Sequence, residues 1–391
     1  MSQPNAAIVG LGMTKFGKHL DRSLKSLGGE AIDKALADAG LDKADIELAF
    51  VANSMSSVIT GQVSVVGQNI LRANGFSSIP VFNIDNACAS SSSALNLAIQ
   101  AIRADAARTV LVVGAEKLYS EDRTRTYLAL NGAADIDFVR GAGIDPSKGS
   151  VFVAAIYPER LESYATKFGL RPETLARIAV KNRGHASLNP DAQYTEPLTL
   201  EDVLASRQVV GPVTALMCAP ISDGASAVVL VHQDRVSRAQ RPVWVRGSAV
   251  GMGSSGDGPS TVKRVATRAY IEASIQPKQI DVAEVHDSIA FNELLAYEDL
   301  GFCEAGEGAT LVEAGATSLG GTLPVNTSGG LESRGHPVAA TGLGQIIELA
   351  CQLRGEAGAR QVRGARLALA ENAGGFALDD TAAVAVTILG I

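Results

Sequence analysis

This chain lacks most of the features that assign function quickly. Its four cysteines, Cys88, Cys218, Cys303 and Cys351, lie far apart with no CxxC pair. That excludes a disulfide framework and fits reduced thiols in a cytoplasmic protein. No cluster of Lys or Arg stands out and the formal net charge is −7, which excludes nucleic acid as an expected partner. No apolar run approaches the roughly 20 residues that span a bilayer, so a soluble protein without a membrane partner is expected. The opening Met1–Gly10 carries no basic region or long apolar core and does not read as a signal peptide. Gly10-Leu-Gly12 has Lys15 where a dinucleotide fingerprint needs its third glycine. Walker, HExxH and GxSxG motifs are absent, which disfavours P-loop, zinc-protease and serine-hydrolase chemistry. The spacing of His286, Asp287 and His336 matches no known metal site, so metal-free cysteine chemistry is preferred.

What is present points to an ordered α/β protein. Hydrophobic residues make up 46% and charged residues 19% of 391 residues, enough for two or more domain-sized units with real cores. The chain also reads as containing itself twice. Strand-like Ala6–Gly12 pairs with Pro242–Gly247, and Asp45–Asn53 pairs with Gln279–Asp287. Asn83–Cys88, an Ala-rich helix and Thr109–Ala115 are matched by Asn326–His336, the helix Gly342–Arg354 and Ala365–Ala370. Helix-like segments Gly29–Ala39 and Thr261–Ala273 precede the second strand of each copy. Strands alternating with helices imply mostly parallel sheets covered on both faces. The halves are read as 1–235 and 242–391, joined by a polar linker, Gln233–Arg241. A more charged stretch, about 118–211 and with a helix over Arg171–Asn182, reads as a loop subdomain inserted in the first half.

Active centres in open α/β sheets gather at strand C-terminal ends and helix N-termini. Cys88 follows Asn83-Ile-Asp-Asn-Ala and precedes four serines and the apolar helix Ala94–Ile102. A cysteine at a helix start is expected to have a lowered pKa. Two readings stand at this point, a nucleophile or a buried structural cysteine beside a tight turn. Pseudo-twofold packing would place the turn of His336, held between Gly335 and Pro337, opposite Cys88. His286 ends the strand Ile280–Val285 and is followed by Asp287 and Ser288. For both histidines the competing reading is a satisfied turn cap. His19 and His232 read as solvated surface, and His185 as either structural or substrate-lining. The strand ending in Glu371-Asn372-Ala-Gly374-Gly375 offers backbone N–H groups suited to an oxyanion hole, or is an ordinary glycine turn.

These segments resemble the thiolases along nearly the whole chain, within them the sterol-carrier-protein-x type and acetyl-CoA acetyltransferases. Asn86-Ala-Cys88 resembles the nucleophile loop, and Gly335-His336-Pro337 with Ala340-Thr-Gly342 the family's GHP…ATG loop. His286-Asp287 with Asn292-Glu-Leu-Leu is similar to the HD loop of that subgroup, and Ser222-Asp-Gly224 also fits. The resemblance implies two βαβαβαββ halves in a five-layered α-β-α-β-α core with an inserted loop domain. It implies an acyltransferase with no tightly bound cofactor and coenzyme A as co-substrate, assembled as a homodimer or homotetramer. It further implies that Cys88 carries the acyl group and His336 takes its proton. His286 would serve an oxyanion site, and the N–H groups of Cys88 and Gly374 a second one. The net reaction is cleavage of a 3-oxoacyl-CoA by CoA, or Claisen condensation in reverse.

One departure stands out. Thiolases use a second cysteine on the substrate α-carbon, in a C-terminal Cys-x-Gly turn or, in the sterol-carrier type, just after His-Asp. Here those places hold Glu371-Asn372-Ala-Gly374 and Ser288, and a serine is a poor carbanion base. Glu371 or His286 would substitute, with Asp287, Ser288 and Asn372 as auxiliary candidates. Alternatives are a thiolase-fold retro-aldolase or acyltransferase working with a small zinc-ribbon/OB-fold partner, or a non-enzymatic scaffold. A decarboxylating ketosynthase is argued against by Pro337.

Overall fold

The structure, a computed structural model, describes residues 5–237, 240–254, 258–377 and 380–391. The first four residues of the opening segment and residues 238–239 of the expected linker lie outside them.

Nine strands form one hydrogen-bonded ladder. In the first half these are β1 (Ala6–Met13), β2 (Leu48–Ala52), β3 (Val81–Ile84), β4 (Thr109–Glu116) and, after a two-stranded hairpin of β5 (Gln208–Val210) and β6 (Val213–Thr214), β7 (Gly224–His232). The second half supplies β8 (Val243–Met252), β9 (Val282–Glu284), β10 (Leu367–Ala377) and β11 (Asp380–Gly390). The ladder runs β3-β2-β4-β7-β1-β8-β11-β10-β9. Read outward from its centre, each half begins with its first strand, then its last, then its next-to-last sheet strand, then its second. The counterpart of β3 in the second half is reduced to a single bridge, Val325 to Ala283, beside β9. The duplication is therefore topological.

The sheet is mixed, and the expectation of mostly parallel pairing is corrected. β2 is parallel to β3 and β4, and β9 to β10, whereas β7 and β11 return antiparallel between their neighbours. The cause is the last strand of each half: it inserts between the first and the next-to-last sheet strands, running opposite to both. The two first strands, β1 and β8, meet antiparallel at Ala7–Trp244 and Ile8–Val243 and join the halves edge to edge.

Three apolar cores then define the layers. The middle core takes Ile8, Val112 and Leu230 from one half and Val282, Ala368 and Leu389 from the other. Between them lie Leu95 and Ile99 of helix Ser90–Arg103 and Leu343 and Ile346 of helix Thr341–Arg354. Opposite sheet faces bury against outer helices: Val9 and Leu111 on helix Leu24–Ala39, and Ala249 and Val384 on helix Thr261–Ala273. This is the α-β-α-β-α order. The first outer helix begins five residues before the expected Gly29 because Ser23 caps it, accepting from the Ser26 N–H. Gly28 and Gly29 inside it are close-approach positions; a Cβ on Gly29 would lie 2.1 Å from Asn74 Oδ1.

Between β4 and β7, the inserted region forms helices and the small hairpin. Its helices Tyr157–Phe168 and Pro172–Ala186 pack through Leu161, Leu175 and Ile178 onto Ile289, Phe291 and Leu294 of the second half. That docking roofs the strand ends where both halves meet. Among the described residues, no helix is long and apolar enough to cross a membrane. All four cysteines are free.

Candidate active site

The turn that carries Cys88 is built by small polar residues. Helix Ser90–Arg103 has Ala89 at its N-cap with no side-chain cap bond, so other groups must hold the turn that starts it. Serines do that work. Ser90 Oγ donates to the Ala87 carbonyl at 2.6 Å and accepts from the Asn86 N–H at 2.8 Å, and the Asn86 amide donates to Ser93 Oγ at 2.8 Å. Ala87 is thereby held at φ 49°, a left-handed conformation costly for a residue with a Cβ. It sits directly before Cys88 and aims the thiol away from the helix into a cavity.

The structure brings Cys88, His286 and His336 together, with Sγ and one nitrogen of each imidazole within 4.8 Å of one another. The imidazoles lie edge to face, centroids 5.3 Å apart at 81°. The hydrogen-bond network assigns them opposite tautomers. The Thr341 hydroxyl donates to the Pro337 carbonyl at 3.1 Å and accepts from His336 Nδ1 at 2.7 Å. This leaves Nε2 of His336 unprotonated. At His286, Ser92 Oγ donates to Asn372 Oδ1 at 3.1 Å, turning the amide nitrogen of Asn372 to His286 Nδ1 at 3.1 Å. A neutral His286 then carries its proton on Nε2. One imidazole is an acceptor and the other a donor.

Burial governs the electrostatics. It pushes the Cys88 thiol up to about 12, against hydrogen bonds from the backbone N–H groups of Gly375 and Cys88. The lowered pKa expected from the helix start is thus overturned, because desolvation outweighs the N–H groups there. Burial also pulls His286 down to about 4, and His336, with His286 and Arg334 nearby, well below its ordinary value. The resting pair is neutral thiol and neutral imidazole. The same trio offers the donor types of a zinc site, in which Cys88 would bind as a thiolate.

The other expected residues separate into those at the cavity and those behind it. Gly374 is a close-approach position, where a Cβ would lie 2.3 Å from the Asn86 carbonyl, and the glycine N–H bonded to sulfur belongs to Gly375, at φ 65°. Asp287 does not line the cavity. Its carboxylate accepts from the Leu331 and Glu332 N–H groups and so fixes the loop leading to His336. Glu371 sits behind His286, accepting from its backbone N–H at 2.9 Å, and burial raises it to about 7. Ser288 does line the cavity. His185 is structural: Nδ1 donates to the Asn326 carbonyl and Nε2 accepts from the Leu319 N–H. His19 is half-buried with Nε2 against the Lys15 carbonyl, and His232 caps the turn at Asp234.

Three residues carried no usable sequence signal. Glu116 at the end of β4 accepts from Ser56 Oγ and, across the halves, from the Ala339 N–H in the His336 loop. Cys218 and Tyr157 both reach the cavity, brought there by bridge pairing beside Ile289 and by the inserted helix. The cavity holds about 250 Å³ and is walled mainly by apolar groups such as Leu118, Phe152, Ile221 and Phe376. It has room for an acyl chain ending at Cys88.

Family models match both halves, "Thiolase, N-terminal domain" over residues 6–204 and "Thiolase C-terminal domain-like" over 256–387. The chain belongs to the thiolase family. It is a thiolase-type acyltransferase. It is 36% identical to an acetyl-CoA acetyltransferase of Methanothermobacter thermautotrophicus, covering 95% of this chain and 96% of that protein. It is 37% identical to the human sterol carrier protein 2, covering 94% of this chain and 69% of that protein. Among solved structures, an Ltp2-ChsH2(DUF35) aldolase matches at TM-score 0.80 and 26% identity over 99% of this chain and 98% of that one. Human mitochondrial 3-ketoacyl-CoA thiolase shares the fold at TM-score 0.71 and 18% identity over 99% and 98%.

Proposed function

We propose that this thiolase site cleaves a 3-oxoacyl-CoA through an acyl-Cys88 intermediate, with coenzyme A as co-substrate and no tightly bound cofactor. The observation that carries the reading is the pair of oppositely protonated imidazoles around one thiol. His336 Nε2 takes the Cys88 proton as sulfur attacks the 3-oxo carbon. His286 Nε2–H donates to the substrate thioester oxygen as the enolate forms. Backbone N–H groups of Cys88 and of the Gly374–Gly375 turn stabilise the tetrahedral oxyanion at the acyl carbon. Because the thiol is neutral at rest, proton transfer to His336 accompanies attack. The test is CoA-dependent loss of absorbance from a magnesium 3-oxoacyl-thioester complex. Wild type is expected to turn over and Cys88→Ala to lose at least about 10⁴-fold, as removal of a covalent nucleophile does. Equal activity in Cys88→Ala would sink the nucleophile assignment.

A second reading is favoured by the aldolase likeness and by Ser288 in place of a cysteine. In it the chain is a retro-aldolase working with a small zinc-ribbon/OB-fold partner. Retro-aldol cleavage consumes no CoA, so CoA dependence separates the two. We further read the halves as 1–235 and 242–391, the compartment as cytoplasmic, and the assembly as a homodimer or homotetramer. The dimer reading is supported by the edge strand β3 and the exposed Phe82, Val63 and Val65 near it.

A further inference from the structure

Cleavage of the 3-oxoacyl chain leaves an enolate whose C2 must receive a proton, and the cysteine that thiolases use for this is absent. The inserted helix brings a different acid to the place. Tyr157 Oη lies 3.1 Å from Ser288 Oγ, and Ser288 also accepts from Asn292 Nδ2 at 2.8 Å. With that bond received, the Ser288 hydroxyl is free to donate to Tyr157 Oη. Both hydroxyls line the cavity that holds Cys88, His286 and His336. Tyr157 follows a π-helical turn, Phe152–Ile156, and starts the next helix with Pro158 at its first turn. Such turns are frequent at functional sites. Cys218, the other thiol in the cavity, directs its S–H to the Thr214 carbonyl at 3.5 Å.

We propose that Tyr157, supported by Ser288, is the catalytic acid and base acting on the substrate α-carbon, a role that rests on the thiolase reading above. As Cys88 Sγ bonds to C3, the C2–C3 bond breaks and its electron pair passes to C2. The phenol proton of Tyr157 moves to C2, releasing acetyl-CoA, and the phenolate is held by the Ser288 O–H. The phenolate then takes the thiol proton of incoming CoA, whose sulfur displaces Cys88 from the acyl group. Cys88 leaves as thiolate and recovers its proton from His336, closing the cycle. A phenol titrates near 10, within reach of this task, where an aliphatic hydroxyl does not. Burial raises Tyr157 above its ordinary value, so the acid form is the resting form. Cleavage therefore starts from the enzyme as it stands, and condensation must first ionise the phenol.

The test separates the two half-reactions in Tyr157→Phe and Ser288→Ala. Exchange of the acetyl-CoA methyl hydrogens for deuterium in D2O reads the α-carbon step. Acylation of Cys88 by p-nitrophenyl acetate, whose leaving group needs no proton, reads the nucleophile and the intactness of the site. Tyr157→Phe is expected to lose at least about 100-fold in exchange and in thiolysis, a typical loss of general acid–base help. It should acylate Cys88 within a few-fold of wild type. Ser288→Ala is expected to lose about 10-fold in exchange and to move the rising limb of its pH profile to higher pH, since the phenolate loses its donor. Near-wild-type exchange in Tyr157→Phe overturns the proposal, as does loss of exchange in Cys218→Ser with retention in Tyr157→Phe. Failure of the wild type to acylate Cys88 sinks the thiolase reading itself, independently of Tyr157.

Discussion

At the scale of single residues, the proposed mechanism depends on which nitrogen of each histidine carries the proton. Thr341 sets that for His336, and Asn372, itself oriented by Ser92, sets it for His286. Removing the Thr341 hydroxyl leaves the His336 ring free to adopt the tautomer that faces its N–H to Cys88. Thr341→Val is expected to lower kcat about 100-fold, at the low end of what a general base supplies. Thr341→Ser should restore most of it. Measured thiolysis rates for the two variants check this, and a silent Thr341→Val would remove the tautomer argument. The histidines and Cys88 stood out in the sequence because glycine, proline and strand ends surround them. Thr341 was visible inside the motif but without a role, since its bond to His336 depends on the turn that the intervening Pro337 makes.

The same close fitting governs whole elements. The middle helices Ser90–Arg103 and Thr341–Arg354 cross where a Cβ on Gly342 would lie 2.0 Å from Ser92 Oγ. The Leu343 N–H also donates to Ser91 Oγ at 3.1 Å. Four consecutive serines thus tie the Cys88 turn below and the opposite helix above. Gly342→Ala is expected to cost about 1–3 kcal/mol by overpacking. Adding Ser92→Ala removes the clashing oxygen and should recover part of that loss. Urea unfolding of the two single variants and the double variant gives the coupling, and strict additivity would contradict the contact. The helices themselves were legible from their apolar runs. Their mutual crossing was not, because the two segments lie some 250 residues apart and only the duplicated topology stacks them.

For the whole molecule, buried titratable groups link stability to pH. Burial raises Glu371 from 4.5 to about 7, so the folded protein holds that proton more tightly than the unfolded chain. The sign follows: its contribution is fully favourable below about pH 4.5 and is lost as pH rises towards 7. His185, His286 and His336 are depressed and pull the opposite way below about pH 6.5, so the total curve mixes both. The comparison of Glu371→Gln with wild type isolates the carboxyl. The stability of the variant relative to wild type should grow with pH by up to about 1.4 kcal/mol per unit between pH 4.5 and 7, then level off. Denaturant midpoints across that range read it, and a pH-independent difference would contradict the raised pKa. At the same scale, the exposed edge β3 predicts that Phe82→Asp weakens self-association, measurable as a lower mass by light scattering. An unchanged mass would place the interface elsewhere.

The sequence by itself determined the α/β class, the internal duplication, the thiolase resemblance and the prominence of Cys88, His286 and His336. These are written in local patterns: apolar periodicity, glycine turns and short motifs. The direction of the last strand in each half was decided only in three dimensions, because antiparallel return depends on which neighbours a strand finds. So was the ionisation of Cys88, since a helix start favours a thiolate but burial between two halves favours the thiol. Tyr157 entered the site in the same way. It lies in an insertion whose sequence carries no motif, and only docking onto the second half sets it beside Ser288 and in the cavity of Cys88.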